Sequence, residues 1–481
     1  MRSALTGLLA AVVLLTWVPT PLLAHGRLKS STPAADAHLG RIPQQLRLDF
    51  SEAAELTFTM VRLQTADGRQ IALGPLAFAP DSRRSVIAPV TGAMEAGTYV
   101  VTWQVAGDDG HPVRGRFEFI IAPGAMGAGV PAGEMAGMHH DPVTMPEGNG
   151  FGAESPLYVI VRWVQFAALL LIIGAVAFRY FVVGRLRHDM VTTAEPTDAV
   201  FAAQAEHGAA RVGHVAAAVL AASLLVRLLA QSYAMHGAGG VFDARLVGGM
   251  VRTTTWGWGW LLQLIGVALA GVGFHRARNT YRSVLTPGPG SRSSMAPWWR
   301  LAAAGAVVSA FSPAFSGHAA SVPKLRALAI MADGLHVLGA SSWLGTLGVM
   351  LIAGIAVARR SAPGESGPIV RSLINAFSPV ALASAGLATA TGVFAAWLHV
   401  GSIPALWTSR YGVTLMIKLG ILGIVALTGF YNWRFVQPRL GTDEATMRLR
   451  RSARVEVAVA VLVLFVTAIL VASPTSMDAA M

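Results

Sequence analysis

The sequence contains no cysteine. Disulfides are therefore excluded in any compartment, and so is every thiolate metal site. Charge is also scarce: Asp, Glu, Lys and Arg make up 13% of the 481 residues, against 54% hydrophobic. That balance excludes an ordinary soluble globular protein. The acidic residues are the rarer sign, 25 against 37 basic, and nearly all of the basic ones are arginine. A formal charge of +12 would suit a nucleic-acid partner. Most of these arginines, however, flank long apolar runs, and the charge bias of membrane proteins accounts for them more simply. No nucleic-acid partner is expected. There is no Walker A phosphate loop and no phosphorylation domain, so this chain does not itself couple ATP hydrolysis to any work.

What is present divides into four parts. Residues 1–24 carry Arg2, an apolar stretch from Leu8 to Val18, two prolines and Leu22-Leu23-Ala24, the pattern of a secretory signal peptide cleaved after Ala24. Cleavage there leaves His25 as the new N-terminus. Its α-amine and its own imidazole Nδ1 can chelate one metal in a six-membered ring, a donor pair that suits tetragonal Cu(II).

Residues 25–122 predict an all-β, immunoglobulin-like sandwich. Strands are expected at Leu46–Phe50, Leu56–Leu63, Ser85–Ile87, Thr98–Val105 and Arg116–Ile121, among about seven in all, separated by Asp-Gly and Gly turns. Asp109 and His111 share the loop before the last strand. They either close a metal site begun by His25 or form an ordinary turn with a surface histidine. Residues 123–156 form a linker rich in Gly and Pro with Met126, Met135, Met138, His139, His140 and Met145. It is either a low-complexity tether or a collector of copper through thioethers and imidazoles.

Residues 157–475 predict an all-α polytopic membrane domain of eight spans, near 157–183, 212–235, 256–274, 298–317, 326–358, 371–399, 411–433 and 455–472. Each is long enough to cross ~30 Å of hydrocarbon. With the β domain outside, arginines crowd the inner loops (Arg185, Arg187, Arg211, Arg276, Arg278, Arg282, Arg359, Arg360, Arg434, Arg439, Arg448 and others) and thin out in the outer ones. Both ends of the domain then face outward. Arg227 falls inside a span, where a buried ion pair is the simplest expectation.

Within the fifth span stands Met331-Ala-Asp-Gly-Leu-His-Val-Leu-Gly-Ala-Ser-Ser-Trp-Leu-Gly345. Asp333 and His336 are spaced i,i+3 and share a helical face. Ionisable groups at that depth mark function by default, the alternative being a hydrogen bond that joins two helices. His236 and Met235 end the second span, His318 the fourth and His399 the sixth, while Met416 and Lys418 lie in the seventh. All are predicted near the outer face. His207 and His214 fall toward the inner end of the second span. The outer set offers exchangeable imidazole and thioether sites along which a copper ion can move inward.

Two stretches resemble known families. His25-Gly-Arg-Leu-Lys-Ser-Ser-Thr-Pro33, Leu48-Asp-Phe-Ser-Glu52 and Thr102-Trp-Gln-Val-Ala-Gly-Asp-Asp-Gly-His-Pro-Val-Arg-Gly-Arg-Phe117 resemble the CopC family of periplasmic copper proteins. The resemblance implies a Cu(II) site made by His25, Asp109 and His111. A separate Cu(I) methionine cluster is not expected in a domain holding only Met60 and Met94. Asp333-Gly-Leu-His336, Ser342-Trp-Leu-Gly345, Ser316-Gly-His318, Lys418-Leu-Gly420, Tyr431-Asn-Trp-Arg434 and Pro438-Arg-Leu440 are similar to the CopD family of membrane proteins, implicated in moving copper across the inner membrane. A CopC–CopD fusion implies a copper-binding importer rather than an enzyme. Its partners would be copper ions and the lipid bilayer, together with periplasmic copper donors or cytoplasmic copper acceptors. Cu(I) suits soft, exchangeable sites in the membrane, and its reductant would have to come from outside the chain.

Two other readings follow from the same histidines. His336 paired with His318 or His399 would hold a b-type haem in a membrane redox protein. A terminal histidine with a second histidine also describes a copper oxygenase, although Asp109 as third ligand favours Cu(II) and disfavours its reduction.

Overall fold

The computed structural model describes residues 28–51, 53–106, 112–126, 156–193, 196–285, 295–317, 319, 325–358, 366–431, 434–435 and 443–472. Two compact units emerge. One holds most of the helices; the other holds the β domain together with residues 230–258.

The β domain is a two-sheet sandwich with nine strands among the described residues: β1 (Leu28–Thr32), β2 (His38–Arg41), β3 (Gln45–Phe50), β4 (Met60–Thr65), β5 (Gln70–Ile71), β6 (Ala77–Ala79), β7 (Ser82–Pro89), β8 (Gly97–Ala106) and β9 (Pro112–Met126). One sheet runs β1-β3-β7-β6 and the other β2-β9-β8-β4-β5. All pairings are antiparallel except β2 with β9. Period-two alternation places Leu46, Leu48 and Phe50, then Tyr99, Val101, Trp103 and Val105, then Phe117, Phe119 and Ile121 in the shared core. Gly115 leaves room for the Trp103 indole, which a Cβ there would strike. Trp103 meets Phe50 edge-on at 5.3 Å between centroids. The Tyr99 hydroxyl donates to the Glu95 carbonyl (2.9 Å) and accepts from the Glu95 N–H (2.8 Å), pinning the turn before β8. On the other sheet Arg47 bridges Asp49 (3.0 Å) and Asp81 (2.9 Å) and holds the Asp81 carboxyl below its usual range.

The expected strand Leu56–Leu63 begins late. Leu56–Phe58 form a 3-10 turn, and Thr59 Oγ1 donates to the Glu55 carbonyl (2.9 Å) before β4 starts. A hydroxyl that bonds back four residues offers the backbone a turn in place of the ladder.

Among the described residues six helices are long and apolar enough to cross a membrane, spanning Leu157–His188, Val200–Gly240, Thr255–Tyr281, Arg326–Ala358, Gly367–Val400 and Arg410–Tyr431. The protein is a multi-pass membrane protein. Its helices are α1 (Pro156–Ala177), which runs through a π turn into Gly184–Thr193, then α2 (Pro196–Gly240), α3 (Ala244–Thr253), α4 (Thr255–Leu285), α5 (Ala296–Phe311), α6 (Arg326–Ala340, continuing through two π turns to Ala358), α7 (Ser366–Val400), α8 (Arg410–Tyr431) and α9 (Asp443–Ala472). The two remaining expected spans are shorter. α5 gives way at Ser312–Ser316 to a 3-10 turn that opens with Pro313, and the apolar run of α9 is Val455–Val471.

Lipid tails are as apolar as leucine, so these helices associate through close backbone approach rather than through exclusion of water. Gly174 of α1 lies against the Gly345 backbone, and Gly345 against the Leu170 carbonyl, so closely that a Cβ at either would overlap main-chain atoms. Gly266 and Gly273 of α4 meet Gly305 and Ala302 of α5 in the same way. Indole N–H groups join backbones as well: Trp163 donates to the Val461 carbonyl (3.1 Å) and Trp260 to that of Leu224 (3.0 Å). Glu206, fully buried on α2, is paired by both Arg179 and Arg187. Gly345→Val is expected to abolish the α1–α6 crossing, because overpacking against backbone cannot be relieved by rotamer change. Size-exclusion chromatography of the detergent-extracted variant should show aggregate where the parent gives one symmetric peak.

Candidate functional site

α6 begins without a side-chain cap after Leu325 and brings Asp333 and His336 one turn apart, both half-buried. His336 Nδ1 lies 2.9 Å from the Ala388 carbonyl and 3.2 Å from Thr391 Oγ1, both on α7. A Cβ on Gly392 would sit 3.1 Å from His336 Cε1, so the absence of a side chain there admits the ring. Bonding of Nδ1–H to a main-chain carbonyl fixes the tautomer and leaves Nε2 with its lone pair, the arrangement typical of a metal-ligating histidine. Asp333 and His336 both lie within Coulomb range of the Lys418 ammonium on α8. The structure thus gathers Asp333, His336 and Lys418 from two helices, with α7 supplying the hydrogen-bonding wall.

The other expected residues stand apart from this group or outside the described residues. Met416 is two positions before Lys418, about 200° around the helix, and is 39% exposed. His399 lies seven residues beyond Gly392 on α7, about 10 Å along the axis, and its ring meets Tyr411 at 6.3 Å. His336 and His399 therefore sit at different depths, which gives no support to a haem held between them. Among the described residues no group of three or more His, Cys, Asp or Glu could hold a metal ion. His25, Asp109, His111, His318, Met135, Met138, His139 and His140 lie outside the described residues. Arg227 donates to Ser316 Oγ (2.8 Å), two residues before His318, and to Gln263 Oε1 (3.5 Å).

His236 belongs to the unit that holds the β domain. It ends the helical part of α2, its Nδ1 3.4 Å from Ser232 Oγ, and Gly237 at φ 70° reverses the chain behind it. Ser232 Oγ donates to the Val241 carbonyl (2.9 Å), closing the turn, and Asp243 caps α3 by accepting from the Arg245 N–H (2.8 Å). The backbone just before His236 is gripped by the β domain. Gln104 Nε2 donates to the Met235 carbonyl (3.1 Å) and Arg114 Nη2 to the Ala234 carbonyl (2.8 Å). Arg114 Nε donates in turn to Gln104 Oε1 (2.7 Å). Gln104 and Arg114 are directly opposed on β8 and β9. Two ladder steps further, at Ala106 and Pro112, the chain enters the loop that carries Asp109 and His111.

Sequence reasoning missed three participants. Lys418 was noted but not joined to Asp333, although it is one of only three lysines in the chain, and its in-span position was the available signal. Gln104 and Arg114 flank the Asp109–His111 loop symmetrically, yet nothing in their identity shows what they bond.

A β-sandwich and a polytopic helical domain in one chain, with an acid, an imidazole and an ammonium gathered among the helices, define a two-part membrane protein. Residues 28–122 match the family model described as the CopC domain, residues 153–323 the copper resistance protein D-like N-terminal domain, and residues 371–470 copper resistance protein D. The chain belongs to the copper resistance family in which a CopC domain is fused to a CopD membrane domain. Copper transport protein CutJ of Bacillus subtilis (strain 168) is 22% identical over 464 residues, 96% of this chain and 77% of that protein. Copper resistance protein C of Escherichia coli is 32% identical over 106 residues, 21% of this chain and 82% of that protein. The crystal structure of CopC from Methylosinus trichosporium OB3b matches at 26% identity and a TM-score of 0.19, over 21% of this chain and 95% of that one.

Proposed function

We propose that this protein captures Cu(II) on its β domain outside the membrane and passes copper inward through its helical domain. His25, with its terminal amine, Asp109 and His111 are the capture ligands. His236 is the first acceptor, and Asp333 with His336 holds the ion farther along, where Lys418 limits how long a cation resides. The β domain and the C-terminus lie on the outer side, and the arginine-rich loops on the inner side, in keeping with the charge bias of the sequence. The chain acts as a binding protein and transporter. Copper donors outside and copper acceptors inside complete the route.

The observation that carries this reading is the Gln104–Arg114 clamp. The hairpin leading to Asp109 and His111 is hydrogen-bonded to the two residues that precede His236. A domain serving only as an independent copper store would have no need of such a dock. The likeness to CutJ along nearly the whole chain supports transport.

The clamp provides the test. Gln104→Ala with Arg114→Ala removes three hydrogen bonds, each worth about 0.5–3 kcal/mol. The purified double variant should bind Cu(II) as tightly as the parent in a competition titration, while copper accumulation by cells falls several-fold. Unimpaired accumulation would show that the dock takes no part in transfer.

A further inference from the structure

The opposite end of α2 packs against α4 through a second set of basic residues that copper handling does not use. Gly213 admits the Phe274 ring, and the imidazoles of His214 and His275 lie 5.3 Å apart between centroids. One turn earlier on α4, Gly271 faces Ala217; one turn later comes Arg278. His207, two turns before His214, stacks on Tyr281 at 4.4 Å. His214 Nδ1 and Arg278 Nε are both buried, and neither has a hydrogen-bond partner among the described residues. His275 is exposed and its Nε2 sits 3.0 Å from Asn279 Nδ2, which orients the ring. Arg211 is exposed one turn from His214.

Two imidazoles at this separation would ordinarily suggest a metal. Arg278 argues otherwise, because its permanent positive charge acts on His214. A guanidinium N–H is always a donor and never a ligand, so the group that satisfies it must be an acceptor, and the surrounding positive charge favours a negative one. The place is also informative. Arg278 stands three residues from the end of the apolar helical stretch Thr255–Tyr281, whose 27 residues are long enough to bring that end out of ~30 Å of hydrocarbon toward the headgroups. Basic pockets between spans at that depth suit lipid phosphates.

We propose that this end of the α2–α4 pair binds a phosphate group, that of an anionic membrane phospholipid, between the Arg278 guanidinium and the His214 and His275 imidazoles. Arg211 extends the positive field outward, and the apolar surface of α2 and α4 takes the acyl chains.

The experiment uses the full chain purified in detergent, with lipid retention read by native mass spectrometry. Phosphatidylglycerol, phosphatidylcholine and inorganic phosphate are the probes. Phosphatidylglycerol should be retained at least tenfold more tightly than phosphatidylcholine. Arg278→Gln should erase that preference, Arg278→Lys should restore only part of it, and Arg252→Gln, an equal change of charge elsewhere, should leave it intact. Equal retention of the two lipids by the parent protein overturns the proposal without recourse to any variant. So does an Arg278→Gln protein that keeps the preference. Displacement of phosphatidylglycerol by stoichiometric inorganic phosphate would reassign the site to a soluble anion and overturn the lipid as its source.

Discussion

One extra residue ahead of His25 is expected to weaken Cu(II) binding by orders of magnitude, a larger effect than any single substitution in the β domain. The reason is stereochemical. In the proposed capture site, with His25 as the N-terminal residue, the terminal amine and the Nδ1 of the same residue would close one six-membered chelate ring, so two ligands would arrive for the immobilisation of a single side chain. An added residue converts the amine into an amide, which is a poor ligand near neutral pH, and leaves a lone imidazole. Each tenfold loss corresponds to about 1.4 kcal/mol, and the chelate contributes several such steps. A titration against a chromophoric copper chelator, comparing protein beginning at His25 with protein extended by one alanine, measures the difference. Equal affinities would remove the capture site from this account. The fold should be indifferent to the extension, since the described core begins only at Leu28. Circular dichroism and thermal midpoint serve as the control.

His336→Ala is expected to reduce copper accumulation tenfold or more. Thr391→Ala, which removes only a contact to the ring, should reduce it less. Supporting groups around metal ligands typically change affinity by 10–100-fold when lost, and loss of the ligand itself should equal or exceed that. Here the ring is held by the Ala388 carbonyl at 2.9 Å and by the Thr391 hydroxyl at 3.2 Å, with Gly392 opening the space it occupies. Gly392→Ala would press on that ring and should fall between the two. Copper content of expressing cells, normalised to the protein in their membranes, ranks the three variants. Accumulation by His336→Ala equal to that of the parent would exclude this histidine from the route.

How much of this was legible in advance differs between the halves. Alternation along Thr98–Val105 gave both the strand and its core face, because one sheet face is buried and the side-chain period is two. The same alternation fails at Gln104. Parity points it outward, yet it is buried, its amide donating to the Met235 carbonyl and accepting from Arg114. A partner more than a hundred residues away leaves no local trace. The apolar runs pointed to eight spans, of which six are described helices long and apolar enough to cross a membrane, but hydropathy is silent on which helix touches which. The Gly174–Gly345 crossing depends on two small residues meeting, and either alone reads as an ordinary glycine in a span. Asp333 and His336 stood out because ionisable groups in lipid are costly. Arg227 stood out for the same reason, but its neutral partners Ser316 and Gln263 could be known only from the packing.

The contact of Gly174 with Gly345 bears on how an ion could pass. Two main chains that touch atom to atom resist sliding or twisting past each other, so α1 and the part of α6 around Gly345 hold one another in place. The helix facing His336 also meets α6 closely, a Cβ on Gly339 falling 3.0 Å from the Ser384 carbonyl oxygen and the Ala388 nitrogen, although only 11% of the apolar window of Gly367–Val400 is buried, against 61% for Leu157–His188. On the proposed route the His336 imidazole thus stands on a helix held by close backbone approaches at both Gly339 and Gly345.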